Sequence, residues 1–128
     1  MAVTHSTAAR NAATDAVTAL ISTSGHLKFR ITGSTVASPT TIVANLVFSA
    51  TAFGASATGT ATANAITSDT NATGGTVAFA SLQTSAGVLV VHCAVAASAS
   101  DINMTNGLVV TAGDTVSCSS LTYTALSA

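Results

Sequence analysis

The chain has 128 residues, 48 % of them hydrophobic, and a formal net charge of −1 that comes from three Lys or Arg residues and four acids, all of them Asp. Charged residues make up 5 % of the chain, against about a quarter in ordinary soluble domains. So few acids and bases leave little material for catalysis, and without a basic cluster the counterion release that drives nucleic-acid binding is missing.

The length suits one domain, read as an N-terminal arm and helix over 1–24 followed by a β domain over 25–128. Its surface must be covered by Thr, Ser, Asn and Ala, whose burial costs less desolvation and side-chain entropy than burial of Lys or Glu. Such a surface suits extensive contact with other protein. The longest mostly apolar run, Val88 to Ala97, is about half the length of a membrane span. The first ten residues lack the basic and then apolar pattern of a secretory signal, so synthesis in a cytoplasm is expected, with Cys93 and Cys118 as reduced thiols.

In chain order, the Ala-rich stretch from His5 to Ile21 puts Ala9, Ala13, Ala16, Val17, Leu20 and Ile21 at helical spacing. Ser6 or Thr4 can cap it, and Ser24-Gly25 can stop it. Beyond Gly25, short runs rich in Val, Ile, Thr and Phe alternate with turn residues, the pattern of an all-β fold. Seven or eight strands are expected in an antiparallel β-sandwich of jelly-roll or immunoglobulin-like type. His26 to Thr32 is the clearest strand, with Leu27, Phe29 and Ile31 on an apolar face and His26, Lys28 and Arg30 on a basic, solvated one. Further strands are expected at Thr41 to Ser49, Gly59 to Ile66, Thr76 to Leu82, Val88 to Ala96 and around Asp101 to Met104. Leu108 to Ala112 and Thr115 to Ala125 flank Gly113-Asp114, which suits a tight C-terminal hairpin. The segment ATGTATANAI reads as a weak edge strand of the kind that partners complete.

No site chemistry is legible. The four Asp residues fall in different segments, with Asp69 and Asp114 in turns where Asp bonds local amides, so no paired carboxylates are expected. His92 and Cys93 are neighbours on a strand and point to opposite faces, which separates a base from a nucleophile. His5, His26, His92, Cys93 and Cys118 are too dispersed for a metal site, and no catalytic residue or cofactor is assigned. A Cys93 to Cys118 disulfide would form only if oxidation followed and the two strands came close.

Several stretches resemble one another's counterparts in a known group. STAARNAATDAVTALI, ITGSTVASP, ANLVFSATAFGASATGTATANAI and ASDINMTNGLVVTAGDTVSCSSLTYT together span nearly the whole chain and resemble small virion proteins of tailed bacteriophages. The likeness rests on overall order and on short phrases such as Ala52-Phe53-Gly54-Ala55 and Ala99-Ser100-Asp101-Ile102. It departs from the group at VAFASLQT, where Phe79 stands in place of an aromatic pair.

The resemblance implies a virion component, most simply a capsid decoration (cement) protein that binds and stabilises the lattice of the major capsid protein. Its expected partners are that protein, other virion proteins and copies of itself, a trimer among the options, with no nucleic acid and no membrane. The expected location is the virion, after synthesis in the bacterial cytoplasm. A tail, collar or fibre-base subunit and a carbohydrate-binding attachment module are the alternatives, the last disfavoured by one Tyr, four Phe and no Trp. The interface is expected on the helix stripe Ala13, Val17, Leu20 and Ile21, together with Lys28 and Arg30.

Overall fold

The computed structural model describes residues 3–31, 41–104 and 107–126. The segment 32–40, which includes Thr32 of the first expected strand, and residues 105–106 lie outside it. The chain is mostly β with one helix.

Helix α1 spans Thr7–Ile21. Ser6 caps it, its hydroxyl accepting the Ala9 N–H at 3.1 Å, and thereby satisfies one of the amides that a first helical turn leaves unbonded. The end is set by Thr23 and Ser24, both at positive φ, and by Gly25, whose N–H donates to the Ile21 carbonyl at 3.0 Å. A Cβ at Gly25 would lie 2.3 Å from the Ile21 carbonyl oxygen and 2.4 Å from that of Gln83. The chain can leave the helix for the sheet here only because this residue has no side chain.

The helix buries Thr14, Thr18 and Ile21, a face rotated from the expected apolar stripe. Ile21 is fully buried in the core and Leu20 is 57 % exposed, while Ala13 and Val17 are half-buried. Polar bonds fix this orientation. The Thr14 hydroxyl donates to the Gly59 carbonyl and accepts the Ala125 N–H at 3.1 Å. Asn11 Oδ1 accepts the Gly59 N–H at 2.8 Å.

Among the described residues nine strands follow: β1 His26–Ile31, β2 Ile42–Phe48, β3 Thr60–Thr62, β4 Ile66–Thr67, β5 Gly75–Gln83, β6 Leu89–Ala96, β7 Ile102–Asn103, β8 Val109–Val110 and β9 Thr122–Thr124. The main sheet runs β4-β2-β1-β5-β6-β7, with β8 pairing with the start of β5. Strands β3 and β9 form a separate two-stranded ribbon. All pairs are antiparallel except β6 with β7, which is parallel, so the main sheet is mixed where a purely antiparallel one was expected.

Alternation in β1 sends Leu27 and Phe29 to one side, opposite Leu46 and Ala44 of β2 and Leu82 and Ala80 of β5. That side is the core, closed by Phe48, Phe53, Ala61 and Val116. The Phe48 and Phe53 rings meet with centroids 5.6 Å apart.

Two further expectations are corrected. The stretch Gly59 to Ile66 is not one strand but two, β3 and β4, and β3 is completed by the chain's own β9. The C-terminal hairpin does not form. A tight turn is present, with the Asp114 N–H bonded to the Thr111 carbonyl at 3.0 Å, but its two arms part: β8 pairs with Gly75 and Thr76, and β9 pairs with Thr60 to Thr62. Val116, on the second arm, bridges instead to Asp69.

Candidate contact surfaces

The register of β2, β1, β5 and β6 sets a second group of residues together on the face opposite the core. Residues directly across a ladder share a face, so Asn45, Lys28, Ser81 and His92 form one continuous row across four strands. Val47, His26 and Gln83 form a row on one side of it, and Ile42, Arg30, Phe79 and Ala94 a row on the other. Two contacts bind the rows to each other. Arg30 Nε donates to Ser81 Oγ at 2.7 Å, and the Phe79 and His92 rings lie 5.0 Å apart.

Arg30 is not on a solvated face, as its alternation with Lys28 suggests. It is 6 % exposed, because it lies across the sheet onto Ser81, itself fully buried. Lys28 is half-buried. Burial first, and the adjacent Arg30 charge second, hold the Lys28 ammonium below the ordinary lysine value. Burial lowers Arg30 as well. Among the described residues, three buried atoms on this face have no hydrogen-bond partner: His26 Nδ1, Asn45 Oδ1 and Gln83 Oε1.

None of the four strands that build the face carries an acid. All four Asp side chains lie on other segments and accept backbone amides, two of them amides of β2 and β6. Asp15 Oδ1 accepts the Ser56 N–H at 3.0 Å. Asp69 accepts the Asn45 and Asn71 N–H groups, one on each oxygen and both at 2.9 Å. Asp101 accepts the Ala94 N–H at 3.0 Å, and Asp114 the Thr111 N–H at 2.9 Å.

The second surface is the outer edge of β6. Successive residues of an antiparallel strand point their N–H and C=O groups to alternate sides. Since the Ala94 amide turns outward to Asp101, those of His92 turn outward too. Strand β7 covers this edge only at Val95 and Ala96, and among the described residues no strand pairs with Leu89 to Ala94 on that side. The adjoining Val88 is 62 % exposed.

Two clefts open on the core side. The larger, about 600 Å³, is lined by residues such as Phe29, Asp101, Met104, Val110, Val116 and Leu121. The smaller, about 270 Å³, is lined by Leu82, Val91, Cys93, Ile102 and Tyr123 among others. His92 and Cys93 both line the smaller cleft, which reaches the β6 edge, while the register sets Cys93 opposite the core residue Ala80 and His92 opposite Ser81. Burial, reinforced by the charge of Asp101, pushes the Cys93 thiol up to about 11. Burial raises Cys118 too, against an opposing hydrogen bond to the Ser120 carbonyl. A thiol held this way supplies little of the thiolate that reacts. Both cysteines are free, and among the described residues no three His, Cys, Asp or Glu groups converge as a metal site would need.

Sequence reasoning reached only the β1 part of the polar face. Asn45, Ser81, Gln83 and His92 join it through strand register, and no local signal marks them. Comparison with protein-family models, with curated proteins and with solved structures finds no match.

Proposed function

We propose that this chain is a structural subunit of a bacteriophage virion, a capsid decoration protein that binds the major capsid lattice and holds it together. The observation that carries this reading is the open β6 edge, a stretch with no charged residue from Leu89 to Ala96 on a chain that has few charges to keep neighbours away. Natural sheets protect exposed edges with Lys, Pro, bulges or covering loops. Here Asp101 occupies one amide and the rest is left for a strand of another subunit. The four phage-like stretches point the same way. The β3–β9 ribbon, whose Ala61 and Tyr123 reach the core on the side facing Leu82 and Cys93, supports the finer reading of a two-layer β-sandwich.

The mechanism is mass action. A protein that binds the assembled shell and not its separated parts stabilises the shell, and many identical contacts on one lattice multiply the effect. The half-buried Ala13 and Val17 and the exposed Leu20 offer a second contact, with helix α1 as its base.

Copy number tests the reading. Purified particles run on a stained gel should show this chain near equimolar with the major capsid protein, and a few copies per particle would move it to the tail, collar or fibre base. A Val88→Lys substitution places a charge at the start of the open edge, on a residue that is 62 % exposed, and should reduce both self-association and binding to empty shells. Unchanged binding would remove the β6 edge from the mechanism.

A further inference from the structure

We infer that helix α1 exchanges between two copies of this chain, each copy docking its helix on the partner's β3–β9 ribbon, with Thr23 and Ser24 as the hinge. The inference is independent of the virion reading, since it rests on the joint between α1 and β1 and on the way the helix is held.

The first observation is strain in the joint. Thr23 and Ser24 both stand in the left-handed region, at φ 67° and 62°, where Cβ comes too close to a carbonyl oxygen and a β-branched side chain is the worst placed. Two consecutive residues of this kind must be held there by their surroundings. The Thr23 N–H donates to the Ala50 carbonyl at 2.7 Å and the Ser24 N–H to that of Ser49 at 3.3 Å. Thr23 and Ala50 are both exposed, so water replaces the shorter bond when the joint opens. A hinge extended toward a neighbour releases the strain, and short strained hinges favour exchange for that reason.

The second observation is the chemistry of the dock. Of the 15 residues of α1, Thr14, Thr18 and Ile21 are buried, and Ile21 is the one large apolar side chain among them. Hydrogen bonds hold the rest, to the Ser56 to Gly59 turn that leads into β3 and to Ala125 just past β9. The Thr14 hydroxyl bonds the Gly59 carbonyl and the Ala125 N–H, and Asn11 Oδ1 accepts the Gly59 N–H. Asp15 Oδ1 accepts the Ser56 N–H, and the Asn11 carbonyl accepts from the Ser56 hydroxyl at 3.2 Å. Water substitutes for each of these while the helix is away, so undocking costs less than withdrawal of a wide apolar stripe. The pattern also selects the occupant. The vacated site presents the Gly59 N–H and carbonyl with the Ser56 and Ala125 N–H groups in a fixed arrangement, which α1 of a second copy matches residue for residue. An exchanged pair remakes every docking bond and reburies Ile21, and differs from two monomers in the joint and in the entropy of association.

The test uses the full chain and reads dimer by light scattering across a concentration series. The wild type is expected to show a concentration-dependent dimer, and its absence overturns the inference. Thr23→Gly accepts positive φ without strain and should lower the association constant by about tenfold. Ser24→Pro fixes φ near about −65° and pushes Thr23 to extended backbone, so it opens the joint and should raise the same constant. Circular dichroism checks folding, and Thr23→Gly decides alone if the proline variant does not fold. A constant that Thr23→Gly leaves unchanged, or a folded Ser24→Pro chain that stays monomeric, overturns the exchange. A trap then locates the contact. Copies carrying Asp15→Cys are mixed with copies carrying Ser56→Cys and oxidised, and a disulfide joining the two copies is expected. The double variant, with both cysteines in one chain, shows whether the pair can bond. A pair that bonds within one chain and never between copies overturns the exchange, and if it bonds in neither the hinge series decides. Dimers formed through β6 edges bring no α1 to a neighbour's Ser56 and do not respond to the hinge, so failure of the exchange and failure of the lattice reading are told apart.

Discussion

The core face and the opposite face of the main sheet are built from the same four strands, and they meet burial in opposite ways. Leu27, Leu46, Phe48, Ala80 and Leu82 are each no more than 2 % exposed and belong to one apolar cluster. One residue along, Arg30, Ser81 and Gln83 are almost as deeply buried, yet they are polar, and the Arg30–Ser81 pair is bonded across the strands. On the first face burial removes apolar surface from water and stabilises the fold directly. On the second it leaves amide and ring atoms unbonded, which the folded chain tolerates only because the first face outweighs it.

The comparison breaks first on the core side. Phe48→Ala removes a ring that is 1 % exposed and packed at a tilt against Phe53, and should lower stability by about 3–5 kcal/mol. Chemical denaturation measures it, and a loss under about 1 kcal/mol would mean that this face is not the core it resembles. The next effect concerns Cys93, on the same face. Its thiol is raised from 9.0 to about 11, so between these values the folded chain holds a proton that the unfolded chain has released. Stability is therefore full below pH 9 and falls as pH rises toward 11. Cys93→Ala should show a shallower fall over that window than the wild type, and parallel curves would contradict it.

The sequence made one face legible and hid the other. Alternation in HLKFRI identifies Leu27 and Phe29 as core because the hydrophobic signal is local to the strand. Lys28 and Arg30 look equivalent by the same signal, and nothing in β1 says that Ser81, fifty-one positions later, will bury one of them. Thr14 and Thr18 were hidden for a related reason. A hydroxyl on a helix reads as solvated until a distant carbonyl, here that of Gly59, accepts from it. The missing hairpin shows the limit of turn chemistry. Gly113-Asp114 does reverse the chain, but a turn fixes only its own four residues, and the pairing of the arms is decided by competition with Gly75, Thr76 and β3 for the same strands.

A smaller expected effect tests whether the polar face has any bonding of its own. Ser81→Ala leaves the Arg30 guanidinium without its acceptor at Nε, and hydrogen bonds to charged groups contribute about 1.5–3 kcal/mol. A loss of about 2 kcal/mol is expected by denaturant unfolding. If the loss is negligible, Arg30 finds another acceptor, and the rows are more adaptable than the static structure implies.

The smallest effect has the opposite sign and is the sharpest test of the contrast. Gln83 is buried with its Oε1 unbonded, so Gln83→Leu exchanges an unsatisfied amide for an apolar group of similar size. Replacing a buried polar group that has no partner is neutral or stabilising, and a gain of up to about 1 kcal/mol is expected. A variant that is less stable by denaturant unfolding would make Gln83 an ordinary structural residue. The polar face would then be a variant of the core rather than its counterpart.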